Sequence, residues 1–304
     1  MILPLWRCII VGNVIDLLKK DERYANSVRK TLYPIIIQVG VGGTGSNLAQ
    51  QVAQMMALFG QDGYYCLADF DEIERKNLRN QLFVEANVGK KKAEILAKRY
   101  SAAYNINVAS YSDKFVEDVP TLMNLFNIDY QKIDGYFNSY QVLPILIGCV
   151  DNNFTRKIFH QLFEQVPNIL YIDSGNESAI VPSDYPQRPK EKWTDEEWTA
   201  YNESGWTGQV VCGLKLKGET ILEPVASRFP EILEDDDEIK KPSEMSCEEL
   251  SSSDPQRLLT NRMAAMAVCT YITELFECGT ISNSMTVFHA KKGYMRSESI
   301  ENLN

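Results

Sequence analysis

Between residues 34 and 92 the hydrophobic pattern changes period around a cluster of glycines, and few folds accommodate that order. An apolar run, Ile35 to Val39, ends in Gly40-Val41-Gly42-Gly43-Thr44-Gly45 and passes into a stretch with Leu48, Val52, Met55, Met56 and Phe59 on one helical face. This predicts a strand, a glycine turn and a helix. Gly40 permits the tight turn, Gly42 and Gly43 admit a ligand to the backbone, and Gly45 lets the helix pack on the strand. The free N–H groups at the helix start then face a phosphate. On its own the turn also fits a purely structural role. The next predicted strand, Tyr64 to Ala68, narrows the choice by delivering Asp69 and Asp71 at its carboxyl end, where ligands sit in open α/β sheets. Glycine turn and acid pair together predict nucleotide binding.

The residues that follow are more specific. Asp69-Phe-Asp71-Glu-Ile-Glu74-Arg-Lys-Asn77-Leu78-Arg79-Asn80-Gln81, then Val88-Gly89-Lys90-Lys91-Lys92-Ala-Glu, resembles the signature of the ThiF/MoeB superfamily, enzymes that adenylate ubiquitin-like and sulfur-carrier proteins. A nicotinamide enzyme shares the glycine turn and one acid, but not the acid pair, the Asn-Leu and the Gly-Lys-x-Lys. The resemblance is close over residues 34 to 176 and looser beyond. It implies an α/β fold, Rossmann-like and doubly wound, with a mostly parallel sheet, an inserted crossover-loop region and antiparallel edge strands near the C-terminus.

Composition agrees with a globular chain: 44% hydrophobic and 24% charged residues over 304 positions. With 31 Lys plus Arg against 41 Asp plus Glu the net charge is -10, which disfavours nucleic acid, because phosphate backbones are held by clustered cations. No apolar run is long enough for a membrane span, the start carries no clear secretory signal, and a cytoplasmic protein is expected. The seven cysteines include no C-x-x-C pair, which predicts reduced thiols. It also departs from the ThiF and MoeB branches, whose zinc site uses two such pairs.

Along the chain we expect an N-terminal extension (1–33) with a short strand over Leu5 to Val11 and a helix through Val14, Leu17 and Leu18. An adenylation core (34–180) follows, with a helix over 89–104 and further strands at Asn105 to Phe115, Leu143 to Asp151 and Asn168 to Asp173. An insertion (181–250) is broken by prolines, tryptophans and the acidic run Glu234 to Glu238. Within it Gly208 to Lys215 fits a strand. The C-terminal part (251–304) holds a helix from Arg257 to Phe276, an edge strand over Met285 to Ala290 and a polar tail from Lys291. The segment Pro242 to Gln256 resembles the catalytic-cysteine segment of ubiquitin-type activating enzymes and is closest to ThiF-family proteins of bacterial PRTRC-type gene clusters.

The reaction implied by the resemblance is attack of a C-terminal glycine carboxylate on the α-phosphate of ATP, with Mg²⁺ as cofactor and a small ubiquitin-like or sulfur-carrier protein as partner. Such chemistry depends on in-line geometry and positive charge around the phosphates. Carried over by residue, Gly40, Gly42, Gly43 and Gly45 form the phosphate turn, Asp69 holds the ribose with Asp71 beside it, Asn77 and Lys92 contact phosphates, and Asp151 binds Mg²⁺. The family's Asn-Leu-x-Arg-Gln reads Asn77-Leu78-Arg79-Asn80-Gln81 here, so the arginine stands one position early. Either Arg79 takes the phosphate role, or Lys90 or an arginine in trans does. Arg23 and Arg29 are the candidates for the trans role, in the homodimer the family implies. Cys247, in a polar segment before a helix, is the candidate thioester nucleophile, opposed by Glu248 and Glu249. His160 and His289 have no partner motif and read as structural. The competing functions are a non-catalytic scaffold of the same fold and a nicotinamide-dependent oxidoreductase.

Overall fold

The computed structural model describes residues 13–19, 29–127, 140–185, 187–234, 241 and 255–300. In chain order the strands and helices are β1 Ile15–Asp16, β2 Thr31–Val39, α1 Gly43–Phe59, β3 Tyr64–Ala68, α2 Lys92–Tyr104, β4 Val108–Tyr111, α3 Val119–Phe126, β5 Tyr140–Gly148, α4 Asn153–Gln165 and β6 Ile169–Asn176. They continue with α5 Asp195–Glu203, β7 Thr207–Leu216, β8 Glu219–Leu222, α6 Val225–Arg228, α7 Glu231–Glu234, α8 Leu258–Cys278, β9 Thr280–Ile281, β10 Asn283–His289 and β11 Tyr294–Ser299.

One sheet runs in the order β11-β10-β7-β6-β5-β2-β3-β4, with β8 also paired to β7. The five strands from β4 to β6 are parallel and β7, β8, β10 and β11 antiparallel. This is the mostly parallel, doubly wound α/β sheet expected, with antiparallel strands toward the C-terminus. The order of strands reverses around β2, so β2 and β5 lead in opposite directions from the same edge of the sheet. A crevice at the carboxyl ends is the consequence.

The parallel strands read as near-continuous apolar runs because both faces are covered. Leu32 and Ile36 of β2, with Leu143, Ile145 and Ile147 of β5, face α1, α2 and α8; Ile37 and Val39 face α3, α4, α6 and α7. Helix α1 buries Leu48, Val52 and Met56 as the spacing predicts and stops at Gly60, whose φ of 58° suits glycine. The helical spacing of α8 predicts an apolar face of Leu258, Leu259, Met263, Met266, Ala267, Thr270, Tyr271 and Leu275, of which Ala267, Tyr271 and Leu275 are buried. Leu258, Leu259 and Met266 are exposed, and Thr260, Asn261, Ala264, Ala265, Val268, Tyr271 and Ile272 face the protein. Small alanines let α8 approach α1 closely, and that contact outweighs the placement of larger apolar residues.

Four further expectations change. Residues 14 to 18 form no helix; Ile15–Asp16 pairs with Thr280–Ile281 instead. The strand after α8 is not an edge, because β11 folds back onto it from within the presumed polar tail. A solvated edge strand carries polar residues such as Arg296 and Glu298 and so gives no apolar signal. The apolar segment Leu82-Phe83-Val84, expected to be exposed, has Phe83 buried, Leu82 half-buried and only Val84 exposed. Among the described cysteines, Cys66, Cys149, Cys212 and Cys269 are free thiols, while Cys278 is disulfide-bonded, which corrects the expectation of reduced thiols throughout. Among the described residues no helix is long and apolar enough to cross a membrane.

Candidate active site

The glycine turn is built by close approach. Gly40 has φ of +89°, and a side chain there would meet the Cys149 carbonyl oxygen at 2.5 Å. At Gly45 a Cβ would lie 2.0 Å from the Gly40 carbonyl oxygen, so the first turn of α1 rests directly on the end of β2. Gly43 is required by protein rather than by ligand: a Cβ would stand 2.0 Å from Asn261 Nδ2 on α8. Gly42 alone faces open space, with Gln81 Nε2 its nearest neighbour at 3.8 Å. Gly42 is also the N-cap of α1 and supplies no side-chain cap. First-turn N–H groups of α1 therefore stay available to an anion.

Asp69 leaves the end of β3 and closes the other side of the turn. Its two carboxylate oxygens accept from the N–H groups of Val41 (2.8 Å) and Asp71 (2.9 Å). Burial pushes its pKa above the ordinary aspartate value, and Lys92 and the two N–H groups only partly offset that. Lys92 opens α2 with its side chain almost fully enclosed and donates to Asp71 Oδ2 at 2.8 Å. Burial alone would lower its pKa; Asp69, Asp71 and Asp151 together hold it above the ordinary lysine value. The ammonium thus stays charged, paired with Asp71 and within the field of Asp69 and Asp151. A backbone ladder holds this geometry: Lys92 N donates to Asp71 O at 3.0 Å, and Ile73 N to Lys90 O at 2.8 Å. Neighbouring Lys91 turns away, donating to Phe70 O at 2.7 Å with its ammonium 3.9 Å from the Phe70 ring centroid.

Asp151 follows the end of β5. It is exposed and makes no hydrogen bond or ion pair among the described residues, although Lys92 and Arg156 lie within its field. The arginine five positions later, Arg156, points inward: Nε donates to buried Asp173 at 3.0 Å and Nη2 to Val150 O at 2.7 Å, while Tyr171 donates to the other Asp173 oxygen at 2.9 Å. That network ties the ends of β5 and β6 together and leaves Asp151 free to meet a ligand.

Asn77 is buried, and its Oδ1 accepts from Glu74 N at 2.8 Å to cap a 3₁₀ turn over 75–79. Only its Nδ2 remains to donate to a phosphate. Arg79 ends the same turn, exposed and without hydrogen bond or ion pair among the described residues. The segment after it runs along the first turn of α1, where Leu82 N donates to Ser46 Oγ at 3.2 Å. Lys90 is exposed. Arg29 is committed within its own chain, to Asp16 (2.5 Å) and to the Cys278 carbonyl (2.6 Å). Arg23 and Cys247 lie outside the described residues. Burial pushes up every free described thiol: Cys66 to about 11, Cys269 to about 12, and Cys149 and Cys212 further.

Two parts of the site escape sequence reasoning. Asn261, Asn176 and Thr44 form a polar cluster beside Gly43, with Asn176 Nδ2 donating at 2.9 Å to both Thr44 Oγ1 and Asn261 Oδ1. These residues come from three distant segments and share no local signal. The insertion holds the second part, in which Trp193 is enclosed by Tyr185, Trp198 and Tyr201. Arg257, at the start of α8, stacks over Tyr201 and Trp206 and donates to Ser204 O at 2.9 Å. The tryptophans that broke the periodicity are thus a small core anchoring the segment from Trp193 to Trp206 to the start of α8.

A strand, an uncapped glycine turn and a helix, with an acid from the next strand, form the arrangement in which α/β domains hold nucleotides. Residues 29–175 match the model of the ThiF family. The fold is similar to that of E. coli MccB solved with AMPCPP and MccA (14% identity, TM-score 0.51, 88% of this chain and 64% of that one) and to E. coli MccB with ATP (14%, TM-score 0.50, 89% and 64%). It is equally similar to the microcin C7 biosynthetic enzyme MccB in complex with N-formylated MccA (14%, TM-score 0.51, 89% and 65%). The chain spans just under two thirds of those chains. Among curated proteins none matches the sequence.

Proposed function

We propose that the protein uses ATP to adenylate the C-terminal carboxylate of a small ubiquitin-like or sulfur-carrier protein ending in glycine. The observation that carries this reading is Lys92, an enclosed ammonium held among Asp69, Asp71 and Asp151 at the carboxyl ends of β2, β3 and β5. Hydride transfer has no use for such a group, whereas a pentavalent α-phosphate needs a fixed positive charge. The family match and the similarity to a fold solved with ATP support the same reading.

In this account Asp69 accepts the ribose hydroxyls on the lone pairs its N–H donors leave free, and the start of α1 meets the phosphates over Gly42. The substrate carboxylate oxygen attacks the α-phosphorus, the bond to the bridging oxygen breaks, and pyrophosphate leaves with the electron pair. Lys92 stabilises the charge on the α-phosphate, while Arg79 and Asn77 Nδ2 contact the departing phosphates. Asp151, one unpaired carboxylate at a strand end, fits a Mg²⁺ that takes its other ligands from phosphate and water. When bound, that ion neutralises charge on the leaving pyrophosphate. The crossover segment of the 181–250 region lies over the substrate tail.

Carboxylate-dependent exchange of labelled pyrophosphate into ATP tests the adenylation. With its carrier, the Cys247 thiolate then attacks the carbonyl carbon of the adenylate, the bond to the phosphate oxygen breaks and AMP leaves, giving a reductant-sensitive thioester conjugate that disappears in Cys247→Ala while exchange continues. A conjugate that survives the substitution removes Cys247 from the account; exchange without any conjugate makes the chain an adenylating enzyme only.

We also infer a homodimer, supported by exposed Leu58 (74%), Val84 (57%) and Met266 (52%) around α1 and α8. Light scattering at micromolar concentration should give twice the chain mass of 34.6 kDa. A fully active monomer contradicts it.

A further inference from the structure

Within the apolar run of β2 stands one polar residue, Gln38, and it is completely buried. It shares the face of Leu32 and Ile36, so its side chain lies under α1, where a buried amide is costly unless every group is paired. Each of its groups is. Nε2 donates to the carbonyls of Gly40 (3.2 Å) and Gly45 (2.8 Å), and Oε1 accepts from Tyr65 O–H at 2.6 Å. The amide has only one orientation consistent with these partners, because two carbonyls can only accept and the remaining oxygen takes the phenol proton. Tyr65, on the adjacent strand β3, is itself fully buried, and its hydroxyl makes no other hydrogen bond among the described residues.

The two carbonyls belong to the two ends of the glycine turn. Gly40 closes β2 and Gly45 lies in the first turn of α1, and a Cβ on Gly45 would come within 3.0 Å of Gln38 Nε2. We propose that Gln38, oriented by Tyr65, is a positioning residue that sets the separation of β2 and α1 across the glycine turn and so aims the helix N-terminus at the nucleotide's phosphates. A glycine-rich turn has no side chains of its own to fix that separation. An amide bridging both carbonyls holds it from beneath, on the side away from the ligand. This deepens the adenylation reading and rests on it.

The brace acts on phosphates and not on the nucleoside, and that distinction gives the test. Titrations of ATP with Mg²⁺ and of adenosine are compared for the wild type, Gln38→Met and Tyr65→Phe. Methionine keeps the volume and removes both donors; phenylalanine removes only the hydroxyl that orients the amide. Gln38→Met should weaken ATP by about tenfold, the worth of a lost pair of buried hydrogen bonds, and leave adenosine unchanged. Tyr65→Phe should show a smaller loss of the same kind, and it carries the test if Gln38→Met does not fold. Equal weakening of ATP and adenosine makes Gln38 a general core residue and overturns the proposal. So does ATP affinity unchanged in both variants. A wild type that binds no ATP overturns the adenylation reading and the phosphate role of the brace with it, whereas wild-type binding with unaffected variants removes the brace alone.

Discussion

Replacing Asp69 with alanine is expected to weaken ATP binding by about a hundredfold, the scale of losing two charge-assisted hydrogen bonds to the ribose. The same carboxylate also receives the N–H groups of Val41 and Asp71, so the substitution leaves two turn donors without their acceptor. Both effects act on the nucleotide: the ribose loses its anchor and the glycine turn loses its outer tether. Isothermal titration reads the loss directly. Asp69→Asn separates the contributions, because an amide offers one acceptor where the carboxylate offers two. An intermediate affinity is expected. Retention of wild-type affinity in Asp69→Ala would place the nucleotide elsewhere, and tighter binding of NADH than of ATP by the wild type would favour the oxidoreductase.

Lys92→Met should lower the adenylation rate by a factor of about 10² to 10³, the range for removing one preorganised charge from a transition state. It should also lower the melting temperature by a few degrees, since an enclosed cation paired at 2.8 Å leaves Asp69, Asp71 and Asp151 facing one another when it goes. Asp71 is nearly half exposed, and solvent limits that second effect. The two consequences separate in the double variant Lys92→Met with Asp71→Asn. Relieving the charge recovers stability without restoring the reacting cation. Thermal melts and pyrophosphate exchange on the same samples check this. Turnover that returns together with stability would make Lys92 structural only.

Much of this site was legible before any coordinates, for an identifiable reason. Gly40, Gly45, Asp69, Asp71 and Lys92 lie within 53 consecutive positions, and a strand, a turn and a helix each leave a local period. The parallel strands were equally plain as apolar runs, with Tyr64–Ala68 read to the residue. What failed to show was whatever depends on contact between remote segments. The face that α8 buries follows from its packing on α1, and Asn261 reaches Gly43 across more than two hundred positions. The edge strand β11 is mostly polar, with Arg296, Ser297, Glu298 and Ser299 exposed, so it resembled a tail. Gln38 is the intermediate case: one amide inside Ile35-Ile36-Ile37-Gln38-Val39 was visible as an anomaly, but its two acceptors appear only when α1 is laid over β2.

The most direct test of the central claim is a crystal structure with an ATP analogue and Mg²⁺. The account predicts ribose hydroxyls on Asp69, phosphates over Gly42 at the start of α1, the α-phosphate within hydrogen-bonding distance of Lys92 Nζ, and the ion between Asp151 and the phosphates. Nucleotide bound away from the carboxyl ends of β2, β3 and β5, or seated there with Lys92 still turned to Asp71 and no contact to the α-phosphate, would contradict it.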